Sequence, residues 1–191
     1  MQTVLPPDPP VSTAKPFSSP PGSSPGRTRW VLNLILPPLL PLAGAIPELT
    51  GWGRSIAVVS NAHTTPVTPA GYAFVIWLPI FALAIAWGVW QALPSGRASP
   101  LAQRLGWPLA ICFALNILWM LLIEFTGMGW HLVVVILAAL AFAVAAFLLF
   151  VRDPGESGVG RAIAAPLVGL LAGWVSMASF ANVGAAAHAT A

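Results

Sequence analysis

The shortage of charge constrains this chain more than any other feature. Only 7% of its 191 residues are Asp, Glu, Lys or Arg, and 58% are apolar, whereas an ordinary soluble domain carries roughly 25% charged residues. A soluble fold of this size buries only part of its chain and needs charge on the remainder. Five acidic and eight basic side chains cannot supply it. In a bilayer the same shortage is required, because a charge at the membrane centre costs at least a few kcal/mol. The expected fold class is therefore all-α, an integral membrane bundle of about five transmembrane helices. The net charge of +3 does not argue for nucleic acid as a partner, since the basic residues stand singly between apolar runs. Membrane lipid, with its anionic headgroups, is the expected neighbour. The single cysteine, Cys112, lies within an apolar run, which leaves neither an intrachain disulfide nor a cysteine-based metal site.

Residues 1–28 are set apart by Pro, Ser, Thr and Gly, with proline pairs at Pro6-Pro7, Pro9-Pro10 and Pro20-Pro21. Proline removes backbone donors and the stretch has few large apolar side chains, so a disordered or polyproline-like tail is expected. It does not resemble a secretory signal, because no apolar core follows a basic start until after Arg29. Residues 29–191 form the expected membrane domain. Five apolar segments occupy 30–47, 71–93, 107–125, 130–151 and 162–183, and a span needs about 20 residues. The first contains Pro37, Pro38 and Pro41; packed neighbours can re-satisfy the carbonyls that prolines leave free. The longest connection, 48–70, joins the first two segments, and the remaining loops are short, as in a compact up-and-down bundle.

With five spans, the tail shares a side with the second–third and fourth–fifth loops. That side holds Lys15, Arg27, Arg29, Arg97, Arg104, Arg152 and Arg161, against Arg54 alone on the other. The bias places the N-terminus in the cytoplasm and the C-terminus outside, with a bacterial inner membrane as the expected location.

Nine tryptophans punctuate the chain. An interfacial belt accounts for Trp30, Trp107 and Trp130 at segment edges. It does not account for Trp77 or Trp174, which lie roughly 9 Å and 13 Å inside their segments at 1.5 Å per residue. At a similar depth in the third segment stands Asn116, with Trp119 one turn further out on the same face. An amide in hydrocarbon wants a partner, so Asn116 is expected to face the bundle interior, either joining helices or contacting a ligand. These groups converge from three helices towards a pocket beneath the long first loop. Gly106, Ala110 and Ala114 form a stripe of small residues spaced by four, suited either to packing within the chain or to a homodimer face. No catalytic constellation emerges. Glu124 has no second carboxylate near it in sequence, and His63, His131 and His188 lack metal-ligand spacing. No phosphate-binding loop or nucleophile elbow is present.

The residues from Thr68 through Pro69, Ala70, Gly71, Tyr72, Ala73, Phe74, Val75 and Ile76 to Trp77 resemble the start of the second helix in the TspO/translocator (tryptophan-rich sensory) protein family. Ala114-Leu115-Asn116-Ile117-Leu118-Trp119 resembles that family's A-L-N-x-x-W, and Met128-Gly129-Trp130 its M-G-W before the fourth helix. Trp174 followed by Asn182 matches the W-x7-N spacing of the fifth. The matches run in order over 66–183. The resemblance implies a five-helix bundle, often dimeric, that binds porphyrins and other hydrophobic ligands under the first loop, with a tetrapyrrole as a possible ligand and no required cofactor. It implies ligand-binding roles for Trp77, Asn116 and Trp174, with Ala178 one turn beyond Trp174; Trp119, Tyr72, Phe74 and Phe81 complete the candidate set. Departures include Phe81 where the family has tyrosine, Ala84-Ile85 where it has Met-Gly, and Val75 where it has proline. Pro79 lies two residues beyond Trp77, no acid stands early in the fourth helix, and Val183 replaces a tyrosine, so the cholesterol-recognition pattern cannot form at the C-terminus.

A receptor or sensor for a flat hydrophobic small molecule is the expected function. Transport of a small amphipathic solute and a non-catalytic role in a membrane complex are the alternatives. Transport is disfavoured by the lack of paired intramembrane charges and of an inverted repeat. Porphyrin breakdown rests on family analogy alone.

Overall fold

The computed structural model describes residues 25–153, 155 and 157–189, and every element among them is helical. Helix α1 spans Pro25–Gly44. A proline suits the first turn, where its missing N–H has no partner to lose. The tail expected over 1–28 therefore gives way to helix at residue 25, while residues 1–24 lie outside the described part. Over the long first connection run two short helices, α2 (Ile46–Thr50) and α3 (Ile56–Ala62). A 3-10 turn over Gly71–Ile76 leads into α4 (Trp77–Ala92). The short α5 (Pro94–Ala98) precedes α6 (Pro100–Thr126), α7 (Trp130–Val151) and α8 (Val159–Ala189).

Four helical stretches, Gly71–Ala92, Pro100–Thr126, Trp130–Val151 and Val159–Ala189, are long and apolar enough to cross a membrane. At 1.5 Å per residue, the 20 residues of α1 also reach about 30 Å, the thickness of a hydrocarbon core. The long helices close a ring in the order α1, α4, α8, α7, α6 and back to α1. Leu137, Val144, Phe147 and Leu148 stay exposed on α7, as lipid-facing side chains should.

Helix α7 coincides with its expected limits. By contrast, α6 begins seven residues before Trp107, because Ser99 caps it by accepting from the Ala102 N–H at 3.2 Å and Pro100 occupies its first turn. Helix α8 likewise exceeds its apolar stretch at both ends; its last turns are rich in alanine, the strongest helix former.

Asn33 knits together the half of the ring that lies away from the first loop. Fully buried, its Nδ2 donates to the Arg29 carbonyl of its own helix at 2.9 Å and to the Gly106 carbonyl of α6 at 2.7 Å. Pro37 withholds the N–H that would have bonded the Asn33 carbonyl. That carbonyl lies against Gly88 of α4, leaving no room for a Cβ. The aliphatic stem of Arg29 covers Gly106 in the same way, and Ala110 is buried. Two of the three small residues of the stripe are thus buried within the chain, the first of the two uses expected for it, and α1 covers Gly106. Only Ala114 remains exposed.

Arg97, Arg104 and Arg161 gather at this end. Arg97 lies over the Trp30 ring, 4.2 Å from its centroid. Arg161 sits over Phe150, and Arg104 pairs with Asp153 at 3.3 Å.

Candidate functional site

At the opposite end the ring opens into a cavity of about 460 Å³, within the range of small-molecule sites. The first loop roofs it. Ser55 caps α3, accepting from the Val58 N–H at 3.4 Å, and buried Val59 points inward from that helix. The Arg54 N–H donates to the Glu124 carbonyl at 2.9 Å, tying the loop to the end of α6. Gly127 closes α6 with a φ of 75°, a conformation suited to glycine. On the other side Thr65 and Val67 pack over Gly184 of α8. The roof therefore spans from α6 to α8.

The wall is aromatic. Trp77 stacks on Phe81 one turn below it, with ring centroids 5.1 Å apart and planes at 23°. It meets Trp174 of α8 edge-on at 6.2 Å and 78°, and Phe74 meets Trp174 in the same manner at 5.6 Å and 75°. Such T-shaped and offset pairs align the positive edge of one ring with the negative face of another. They hold the wall in one arrangement between α4 and α8.

Asn116 is 1% exposed and lines the cavity. Its Nδ2 donates to the Cys112 carbonyl at 2.9 Å, one turn back in its own helix, while its Oδ1 has no partner among the described residues. The bond that joins helices belongs to Trp119, whose Nε1–H donates to Asn182 Oδ1 at 2.9 Å. The Asn182 amide nitrogen in turn donates to the Ala178 carbonyl at 2.8 Å.

Trp77, Asn116, Trp119, Trp174, Ala178, Phe74 and Phe81 all line this one cavity. Tyr72 does not: it is 83% exposed, because the 3-10 turn rotates it away from Phe74. Sequence reasoning left Asn182 out of the site, although its eight-residue spacing from Trp174 placed it on the cavity face of α8. It also left out α3, whose Ile56 and Ser60 form part of the roof, and Glu48 of α2. Glu124, isolated in sequence, is buried near the end of α6 with both carboxylate oxygens unpartnered among the described residues.

The model of the TSPO-like protein family matches residues 45–191. No curated protein and no solved structure matches the chain.

Proposed function

Because the chain belongs to the TSPO-like protein family, a family of five-helix membrane bundles, we propose that it is a membrane receptor or sensor for a flat hydrophobic ligand such as a porphyrin. The observation that carries this reading is the aromatic wall. Trp77, Phe81 and Trp174 present ring surfaces to one cavity, and a planar ligand stacked there gains about 0.5–1.5 kcal/mol per aromatic pair beyond area burial. Asn116 Oδ1 offers an acceptor beside the wall, which suits a ligand with a polar edge.

Both tryptophans are their own reporters. Protoporphyrin, or its neutral dimethyl ester, should quench the fluorescence of the detergent-purified protein saturably. A Trp77→Phe/Trp174→Phe variant should lose most of that saturable component. Identical quenching in the variant would rule out this cavity as the site.

The arginines gathered at the end away from the first loop support a cytoplasmic N-terminus, with the cavity in the outer half of the membrane. A reporter active only outside the cytoplasm should therefore work when fused to the C-terminus. Activity only from an N-terminal fusion would reverse the orientation.

A further inference from the structure

A second cleft, of about 480 Å³, opens at the end of the bundle away from the first loop. Gly26, Arg27, Arg29 and Trp30 line it from the first turns of α1, and Arg97 lines it from α5. No carboxylate is among the described lining residues. The described acids are placed elsewhere. Glu48 and Glu124 belong to the first loop and to the end of α6 beneath it. Asp153 accepts from Arg104 at 3.3 Å and from the Gly155 N–H at 3.3 Å. The histidines are remote as well: His63 lines the aromatic cavity, His131 meets Thr126 at 2.7 Å, and His188 stands in the last turn of α8. Three guanidinium groups, charged at any physiological pH, thus share one cleft without a described counter-ion.

Two of the three are positioned by the fold rather than by an acid. Arg29 is 7% exposed. Its stem lies along Gly106, where a Cβ would fall 2.5 Å from its Cδ, and its carbonyl accepts from Asn33. Its Nε is buried with no hydrogen-bond partner among the described residues, which leaves the terminal nitrogens as the edge presented to the cleft. Arg97 spends its Nε on the Ala92 carbonyl at 2.7 Å and lays its Cζ over the Trp30 ring. Its terminal nitrogens, too, are what remains. Burying a guanidinium without an acceptor is costly, and no described group of the chain offsets that cost. The positive end of the α1 dipole adds to the same field.

We propose that this cleft binds the phosphate of an anionic phospholipid. The two free oxygens of a phosphodiester suit guanidinium forks, which bind such groups through paired N–H donors. A soluble phosphate compound shares that chemistry, and depth favours the lipid. Trp30 marks the edge of the apolar segment, the level at which tryptophan meets headgroups. Beyond it along α1, Leu34 and Ile35 are exposed and can take the acyl chains. The site uses no residue of the aromatic cavity and stands whether or not that cavity holds a ligand.

Thermal unfolding of the full-length protein in a non-ionic detergent tests it. Phosphatidylglycerol, or phosphatidylcholine with the same chains, would be added at rising mole fraction. A third arm would use inorganic phosphate against chloride at equal ionic strength. Phosphatidylglycerol should raise the midpoint saturably, because a ligand of the folded chain alone stabilises it. Phosphatidylcholine, which carries its own cation into the cleft, should not. In an Arg27→Gln/Arg97→Gln variant, half-saturation should need at least about tenfold more phosphatidylglycerol, as expected for two lost arginines at a membrane surface. Arg27→Gln alone, which leaves the contact of Arg97 with Trp30 in place, should move it part of the way. Arg104→Gln, at the same end but outside the cleft, should leave it unchanged. An equal rise with both lipids, a rise that survives the double variant, or an equal loss in Arg104→Gln would overturn the site. A full rise from inorganic phosphate, with nothing further from phosphatidylglycerol, would keep the phosphate site and overturn the lipid as its source.

Discussion

Replacing Gly88 with leucine is expected to destabilise the bundle by about 3 kcal/mol, the upper end of the usual overpacking penalty. A Cβ at this position meets the carbonyl of Asn33, a backbone atom that cannot rotate aside. Helix α1 must move off α4 to make room, which strains the Asn33–Gly106 bond at 2.7 Å. Alanine is the sharper test because two effects oppose each other. Helix propensity favours alanine over glycine by about 1 kcal/mol. The clash should exceed that gain, so Gly88→Ala should also destabilise, by about 1 kcal/mol net. Unfolding in mixed micelles, followed by circular dichroism as the denaturing detergent fraction rises, reads both variants. An alanine variant more stable than the parent would refute the close approach of α1 and α4.

The second large effect is expected at the bond between Trp119 and Asn182. Asn182→Ala leaves the Trp119 Nε1–H buried without an acceptor, a loss of about 2 kcal/mol. Trp119→Phe strands the Asn182 oxygen and should cost a similar amount. Because both changes remove the same interaction, the double variant should lose less than the sum. Interhelical hydrogen bonds in membranes average about 0.6 kcal/mol and reach about 1.7; burial of this pair argues for a coupling of about 1 kcal/mol. A double-mutant cycle on unfolding free energies measures that difference directly. Strict additivity would mean that α6 and α8 are not held together here.

Much of this architecture was legible in the sequence, for reasons that differ from helix to helix. The limits of α7 were plain because Gly129 and Arg152 bracket an unbroken apolar run. The start of α6 was not, because hydropathy marks where lipid begins rather than where the helix begins, and Gln103 and Arg104 are helical outside the apolar stretch. The cap at Ser99-Pro100 carried that information instead. Trp77, Asn116 and Trp174 were found by depth, since a polar or indole side chain below the interface requires an explanation. Depth could not reveal the partner of Trp119, which is 63 residues away, or the packing of Arg29 over Gly106. Those pairings depend on how the helices turn about their axes, and apolar runs with little periodic contrast do not record it.

The division of the bundle into a knitted half and a hollow half bears on how such a protein diversifies. Asn33, Gly88 and Gly106 hold the helices together at one end, while the side chains that a ligand would touch stand at the other. Phe81, where the family has tyrosine, falls in the hollow half, and on the receptor reading proposed above a change there alters what is recognised without loosening what is folded. On that reading a lineage can exchange one ligand for another by changing a handful of cavity positions, and the inherited scaffold need not be rebuilt each time.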